Sequence, residues 1–334
     1  MRKKQIFFTT PGIAEIWEQD IPPLGEHDVL VRMEYTVISG GTEKDCLTGR
    51  GNTSANGGFP CSLGYCGVGF VREIGTLVTT VKPGDRVLVY HGVHSNWNVR
   101  SEEEITKVDN DAVSSLEAAF VIIASMGLGG VRKLELELGE SAMIMGQGLL
   151  GIFSTQFCRL SGANPVIAAD LNPERRKLAL ALGADYAFDP ADPHFIDHVK
   201  EATHGRGING CVEVTGVSAA MLQAMDCAAF MGRISLLGCT RVSDSAVDYY
   251  KQVHRPGLKL IGAHNFVRPK YESYPHHWTH HDDCRAILEM IAAGRVQVAP
   301  IISRVVKPEE APEVYHQLAT DPLFPMGTVF DWRS

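Results

Sequence analysis

The stretch from Ser141 to Asp185, SAMIMGQGLLGIFSTQFCRLSGANPVIAADLNPERRKLALALGAD, decides the fold. Its apolar run 142–145 is short, as a buried parallel strand is. Directly after this run, residues 146–151 read GQGLLG and fit the G-x-G-x-x-G pattern of a dinucleotide-binding turn. In that pattern the first glycine permits a tight turn, the second lets the backbone approach a pyrophosphate, and the third lets helix and strand pack closely.

The residues after the glycines complete a strand–helix–strand unit. A helix over 152–159 is followed by a second apolar strand over 166–169, which ends at Asp170. A carboxylate in that place accepts hydrogen bonds from an adenosine ribose diol and would repel a 2′-phosphate, so NAD is favoured over NADP. A doubly wound domain without a nucleotide is the alternative. The expected cofactor-binding residues are Gly146, Gly148, Leu149, Leu150, Gly151 and Asp170.

The overall composition is that of an ordinary globular chain. Its 334 residues exceed what one typical core holds, which predicts two domains. A net charge of −8 argues against a nucleic-acid partner, and no apolar run is long enough to span a membrane. We interpret the basic N-terminus as a first strand and not as a signal peptide. The eight cysteines lack framework spacing, which favours reduced thiols and a cytoplasmic protein.

The predicted secondary structure of the chain changes near residue 115. Before it, strand patterns with turn signals recur, as over 28–35 and 68–75, and predict a small barrel or sandwich. After it, helices alternate with strands, which indicates a parallel sheet covered on both faces. We expect the C-terminal segment to return to the first domain. The predicted fold class is α/β, with a doubly wound Rossmann domain over 116–264 and a β-rich domain over 1–115 and 265–334.

This order of parts resembles the medium-chain dehydrogenase/reductase superfamily over nearly the whole chain. The matching motifs are the glycine turn, Leu63-Gly64 with Gly67-Val68-Gly69, Pro83-Gly84-Asp85-Arg86-Val87, Leu182-Gly183-Ala184-Asp185, Val214-Thr215-Gly216, Leu236-Leu237-Gly238 and Ala293-Gly294-Arg295. The resemblance implies a GroES-like β-barrel catalytic domain, a Rossmann domain and a substrate in the cleft between them. It adds Thr215 and Gly238 to the cofactor-binding residues. By the same resemblance, Arg175 would lie over the adenine ring. The alternative is that Arg175 is an arginine on a helix that faces solvent.

Most alcohol- and polyol-oxidising members of this superfamily hold a catalytic zinc, and this chain departs from their ligand pattern. The three ligand positions match Ser39, the segment Gly64-Tyr65-Cys66 and a place near Ile122. A hydroxyl and a phenol are poor zinc ligands beside thiolate and imidazole. We therefore expect no metal. The alternative is a rearranged zinc site that uses Cys46, Cys61 or Cys66 with His91 or His94.

Without zinc, a side chain has to move the hydroxyl proton or stabilise the charge that develops on a carbonyl oxygen. Tyr65 stands at a former ligand position, so the resemblance aims its hydroxyl at the reacting oxygen; packing against the cleft wall is the alternative. His91 or His94 would relay a proton near neutral pH, unless both are surface or core-edge residues. Ser39, Thr42 and Glu43 are further candidates, which would orient a polar substrate. For Glu43, the alternative is a solvated or structural carboxylate.

These observations predict an NAD-dependent oxidoreductase that transfers a hydride between nicotinamide and a small alcohol or polyol, or its carbonyl partner. Two alternatives stay open. One is a zinc-free quinone or enoyl-type reductase, against which Asp170 counts because such enzymes typically use NADPH. The other is a non-catalytic NAD(H)-binding protein. By analogy with the superfamily, we expect a homo-oligomer.

Overall fold

A computed structural model describes residues 2–333, apart from the side chain of Ser54. In chain order the strands and helices are β1 (Arg2–Thr10), β2 (Ile13–Asp20), β3 (Asp28–Val37), α1 (Gly40–Leu47), β4 (Cys66–Ile74), β5 (Arg86–Tyr90), β6 (Trp97–Ser101), β7 (Ile105–Lys107), α2 (Ser115–Ala118), α3 (Val121–Arg132), β8 (Ala142–Met145), α4 (Leu149–Leu160), β9 (Val166–Ala169), α5 (Pro173–Ala181), β10 (Tyr186–Phe188), α6 (Phe195–Ala202), β11 (Ile208–Glu213), α7 (Ser218–Cys227), β12 (Ala228–Leu236), β13 (Lys259–Gly262), α8 (His280–Ala292), β14 (Arg304–Val306), α9 (Ala311–Thr320) and β15 (Thr328–Asp331). Short 3₁₀ turns lie at Ser54–Gly57, Glu102–Glu104, Ala299–Ile301 and Pro308–Glu310, and a π-helical turn lies at Tyr249–His254.

The chain forms two compact units. Within the described residues, unit 1 runs to Ile123 and resumes at Cys284, and unit 2 is Ala124–Asp283. Over the same residues, no helix is long and apolar enough to cross a membrane.

Unit 1 is built around a mostly antiparallel sheet with the order β14–β15–β3–β4–β5–β7, and β6 pairs with β3 off this path. The strands β1 and β2 form a separate antiparallel pair. Alternation along β3 carries Val29, Val31 and Met33 into the core, where Tyr315 of α9 and Phe330 of β15 join them. Because β15 pairs with β3, the C-terminal segment completes this sheet.

Unit 2 contains a parallel sheet with the order β10–β9–β8–β11–β12–β13. Every residue of β8 and β9 is buried, as expected of strands covered on both faces. The order is that of two mononucleotide-binding halves, which meet between β8 and β11. The predicted fold class, α/β with a doubly wound parallel sheet and a second β-rich domain, is confirmed.

The two units divide later in the chain than the sequence indicated, inside α3 and α8 and not near residues 115 and 264. Polar contacts within unit 2 explain the second boundary. The Arg132 Nε–H donates to Asp283 Oδ1 at 2.8 Å, and the Arg268 guanidinium donates to the Ser125 carbonyl at 3.0 Å. These bonds attach the segment after β13 to α3, and they join residues too far apart in the sequence for a local pattern to reveal.

Candidate functional site

The glycine turn connects β8 to α4 and matches the requirements of the motif residue by residue. Gly146 has a φ of +94°, a backbone conformation that favours glycine. A Cβ on Gly151 would lie 1.8 Å from the Gly146 carbonyl oxygen, so the close approach of helix and strand requires a glycine there. A Cβ on Gly148 would meet nothing within 4 Å. The backbone at the start of α4 is therefore open to a ligand.

The first amides of α4 are suited to an anion. Gly148 caps this helix without a side-chain hydrogen bond. The first N–H groups of a helix, here those of Leu149 and Leu150, have no partner within it, and an anionic pyrophosphate is a ligand that they favour. The residues of this turn therefore fit the pyrophosphate of a dinucleotide.

Asp170 ties the end of β9 to the glycine turn. Its Oδ2 accepts a hydrogen bond from the Gln147 backbone N–H at 2.6 Å, and its Oδ1 accepts one from the Asn172 N–H at 2.8 Å. The buried Gln147 side chain holds the turn from the other side, because its amide donates to the Ile144 carbonyl and accepts from the Thr155 hydroxyl. Each carboxylate oxygen of Asp170 keeps lone pairs for further donors such as ribose hydroxyls.

Arg175 and its neighbour Arg176 both lie near the start of α5. The Arg176 guanidinium donates to the carbonyl oxygens of Asp170, at 2.7 Å, and Leu171, at 3.0 Å, and it pairs with Asp189 at 3.2 Å. Arg176 thus fixes the backbone around the acidic strand end. Arg175 is half-buried in the same turn, and its place over an adenine ring stays a prediction.

A buried glutamate at the end of β11, which the sequence did not reveal, organises the next turn. Glu213 is fully buried, and burial raises the pKa of its carboxyl. Its carboxylate accepts hydrogen bonds from the hydroxyl and backbone N–H of Thr215 and from the Gly216 N–H. A Cβ on Gly238 would lie 2.4 Å from the Gly216 nitrogen. Thr215 and Gly238 therefore belong to one tightly packed pair of turns at the carboxyl ends of β11 and β12.

Three side chains predicted to act on the substrate come together in unit 1, and we call Ser39, Thr42 and Tyr65 the hydroxyl cluster. Ser39 precedes α1, Thr42 lies in its first turn, and Tyr65 comes directly before β4. The Tyr65 hydroxyl donates to Ser39 Oγ, and Thr42 is a second hydrogen-bond partner. Tyr65 is half-buried, and desolvation raises the pKa of its hydroxyl above the ordinary value. The phenol is therefore protonated near neutral pH and acts as a donor.

Glu43, which follows Thr42 in α1, accepts hydrogen bonds from three parts of unit 1. Its exposed fraction is 0%. Its Oε1 accepts from the Ser39 backbone N–H at 2.7 Å, and its Oε2 accepts from the Tyr315 hydroxyl at 2.6 Å. The same Oε2 lies 3.1 Å from His94 Nε2. The expectation that Glu43 orients a substrate is corrected, because burial and these partners make it the residue that holds Ser39 in place.

His94 extends this buried network. Its Nδ1 lies 2.7 Å from Thr36 Oγ1, which also accepts the indole N–H of Trp332 at 2.9 Å. With 1% of its surface exposed, His94 lies in the core of unit 1, deeper than the surface or core-edge place that the sequence left open as an alternative.

His91 lies on the surface of unit 1. Its Nδ1 is 2.9 Å from Glu104 Oε1, and its ring stacks on Tyr90 with the ring centroids 3.7 Å apart. These contacts engage the imidazole at the end of β5. His91 thus matches the surface histidine that the sequence left open as an alternative, and its part in relaying a proton stays a prediction.

Two family models match the chain, an alcohol dehydrogenase GroES-like domain over residues 25–133 and a zinc-binding dehydrogenase domain over residues 150–273. The chain belongs to the zinc-type medium-chain alcohol dehydrogenase-like superfamily. One superfamily relative, the L-threonine 3-dehydrogenase of Pyrococcus horikoshii, is 29% identical to it and aligns with 90% of this chain and 91% of that protein. The uncharacterized zinc-type alcohol dehydrogenase-like protein YdjJ of Escherichia coli is 24% identical, over 91% of this chain and 92% of that protein.

Solved structures of the superfamily share the fold over the whole chain. An oxidoreductase of unknown specificity from Escherichia coli has a TM-score of 0.86 at 19% identity, with 99% of both chains covered. A structure described as a zinc-binding dehydrogenase from Sinorhizobium meliloti, bound to NADP, has a TM-score of 0.82 at 21% identity, again with 99% of both chains covered.

The residues at the superfamily's catalytic zinc position do not fit zinc. Ser39 and Tyr65 offer hydroxyls that are already hydrogen-bonded to each other, and the Ile122 side chain offers no ligand atom. Cys66 offers a single thiol, and burial raises its pKa well above the ordinary value, which disfavours the thiolate. Zinc in proteins prefers thiolate, imidazole and carboxylate ligands. Across residues 2–333, no group of three or more histidine, cysteine, aspartate or glutamate side chains is arranged to hold a metal ion.

Proposed function

We propose that this protein is an NAD-dependent oxidoreductase that transfers a hydride between nicotinamide and a small alcohol or polyol, or its carbonyl partner, without a catalytic zinc. The observation that carries the proposal is the hydroxyl cluster. At the position where the superfamily resemblance expects metal ligands, a protonated phenol is hydrogen-bonded to Ser39, which Glu43 holds in place. A proton donor thus stands where a Lewis acid is expected.

The fit of unit 2 to a dinucleotide supports the choice of cofactor. When bound, NAD supplies the nicotinamide ring that gives or accepts the hydride. The amides at the start of α4 would hold its pyrophosphate, and the carboxylate of Asp170 would accept hydrogen bonds from its ribose diol. The Sinorhizobium meliloti relative was solved with NADP. In the present chain the negative charge of Asp170 would repel the additional phosphate of NADP.

The proton chemistry follows from the state of Tyr65. In carbonyl reduction, negative charge develops on the substrate oxygen, which the phenol stabilises by a hydrogen bond and then protonates. In alcohol oxidation, a base has to take that proton. Because the pKa of Tyr65 is raised, little phenolate is available near neutral pH for that task.

A panel of acceptors tests the reaction class. Oxidation of NADH would be followed with aldehydes, ketones, quinones and activated alkenes. Turnover with aldehydes or ketones is expected. Turnover confined to quinones or alkenes would replace the proposal with a reductase of that type, and tight NADH binding without any turnover would make the protein a non-catalytic NAD(H)-binding protein.

We expect Asp170→Ser to shift the ratio of the kcat/KM values for NADP and NAD roughly tenfold or more towards NADP. The substitution removes the repulsion between the carboxylate and the 2′-phosphate of NADP, and a tenfold ratio corresponds to about 1.4 kcal/mol. Asp170→Asn, which keeps the shape and removes the charge, should shift the ratio in the same direction. Glu174→Gln removes an exposed charge nearby on α5 and should leave the ratio unchanged. An unchanged ratio in both Asp170 variants would refute this role.

A further inference from the structure

Two cysteines of unit 1 approach each other outside the hydroxyl cluster. The Sγ atoms of Cys46 and Cys61 lie 3.5 Å apart, and both thiols are free. Cys46 is fully buried in the last turn of α1. Cys61 is half-buried, and two backbone hydrogen bonds join it to Phe8 of β1. Since the sulfurs of a disulfide are about 2.05 Å apart, a shift on the order of 1.5 Å shared between the two side chains would bond them.

We propose that Cys46 and Cys61 form a modification site, a reversible intramolecular disulfide produced by a peroxide. In the first step, the Cys61 thiolate attacks a peroxide oxygen; an S–O bond forms, the O–O bond breaks, and one water leaves after proton uptake. In the second step, the Cys46 sulfur attacks the sulfur of the Cys61 sulfenic acid; the S–S bond forms, the S–O bond breaks, and a second water leaves. The two thiols lose two electrons and two protons, and peroxide is reduced. A dithiol reductant restores both thiols.

The surroundings of the two sulfurs set the order of these steps. Cys61 is the partner that solvent reaches, so it meets the oxidant first. Burial, followed by the contact with Cys61, raises the pKa of the Cys46 thiol to about 12. A buried thiol of that kind is a poor nucleophile towards a dissolved oxidant and has only the neighbouring sulfur within reach. Cys46 is therefore the resolving thiol.

The disulfide would bridge the two segments that the hydroxyl cluster also joins. Cys46 stands one helical turn after Thr42 on α1, and Cys61 lies four residues before Tyr65. Pulling the last turn of α1 towards residue 61 would displace Ser39, at the other end of that helix, relative to Tyr65. We expect oxidation to lower turnover for this reason. That consequence rests on the proposed function, whereas formation of the disulfide does not.

Peptide mapping tests the site without reference to activity. The exposed Cys239 is first replaced by serine, so that the most accessible thiol does not react. The reduced protein is then treated with hydrogen peroxide, alkylated and digested. Before alkylation, we expect a mass lower by two hydrogen atoms per chain. After digestion, we expect a linked peptide pair that contains Cys46 and Cys61, and dithiothreitol should reverse the link fully. Cys46→Ser and Cys61→Ser should each abolish the link, while Cys158→Ala, at a buried thiol of unit 2, should retain it.

Recovery of both thiols as alkylated residues, or conversion of Cys61 to a sulfinic acid without a link, would overturn the proposal. For the effect of the disulfide on activity, we expect peroxide treatment to lower turnover roughly tenfold or more. Dithiothreitol should reverse this loss, and the Cys46→Ser variant should not show it. A complete link with unchanged turnover would overturn the connection to the hydroxyl cluster. Absence of turnover in the reduced protein would instead contradict the proposed function and leave the mapping result standing.

Discussion

Tyr65→Phe is expected to lower kcat for carbonyl reduction roughly a hundredfold or more, with little change in the KM for NADH. The variant loses the hydroxyl that is hydrogen-bonded to Ser39. In the proposed reaction, this hydroxyl turns its one hydrogen from Ser39 to the substrate oxygen. General acid catalysis typically contributes this much to a rate. The affinity for NADH should be retained because the dinucleotide residues belong to unit 2. Initial rates followed at the absorbance of NADH provide both constants.

Two controls separate proton donation from packing. Tyr90→Phe removes a phenolic hydroxyl at the end of β5 and should leave kcat within about twofold of the wild type, since no step of the proposed proton transfer uses it. In the wild type, loss of the Tyr65 proton should not slow reduction below pH 10, because desolvation raises the pKa of this group above its ordinary value of 10.0. A near-wild-type rate in Tyr65→Phe would leave Tyr65 as a packing residue of unit 1.

The second large effect is expected in the free energy of unfolding. Glu43→Ala should destabilise unit 1 by about 3 kcal/mol or more, because it leaves buried donors without an acceptor. These donors are the Ser39 backbone N–H, the Tyr315 hydroxyl and the His94 imidazole. Urea unfolding followed by tryptophan fluorescence measures the change. Since Ser39 loses its anchor, turnover of the folded fraction should fall as well.

Tyr315→Phe is the matched control for this prediction. It removes one of the donors to Glu43 and keeps the aromatic ring in the core, so it should cost only about 1 kcal/mol. If Glu43→Ala unfolded at the wild-type urea concentration, Glu43 would not be the anchor of α1, and the origin of the Ser39 position would have to lie elsewhere.

The parts of the fold that the sequence predicted best are those with a local pattern. The strands β8 and β9 were predicted with the bounds that the structure has, because buried parallel strands are short apolar runs next to turn residues. The helix α1 was not predicted. It begins with Gly40 and Gly41 and carries a mixed polar and apolar sequence, so nothing local favours a helix there. Its partners in the core stabilise it instead.

The residues of the candidate site also fall into those that a local pattern predicted and those that it did not. The glycine turn and Asp170 follow a pattern that is contained within a single strand–helix–strand unit, and local spacing was enough to find them. Glu43, by contrast, bonds to residues 51 and 272 positions away. Nothing in its immediate sequence distinguishes such a buried acceptor from a carboxylate that faces a substrate. Glu213 was not predicted for the same reason, since only its burial beneath a turn shows that it accepts the hydrogen bonds of that turn.

The zinc content of the protein, purified without chelators or a histidine tag, tests most directly whether the hydroxyl cluster stands in place of a metal. Elemental mass spectrometry would be combined with a turnover assay before and after treatment with a chelator. We predict far less than one zinc per chain and the same turnover in both samples. One zinc per chain, lost together with turnover in a Cys66→Ser variant, would contradict the proposed mechanism and establish a rearranged metal site.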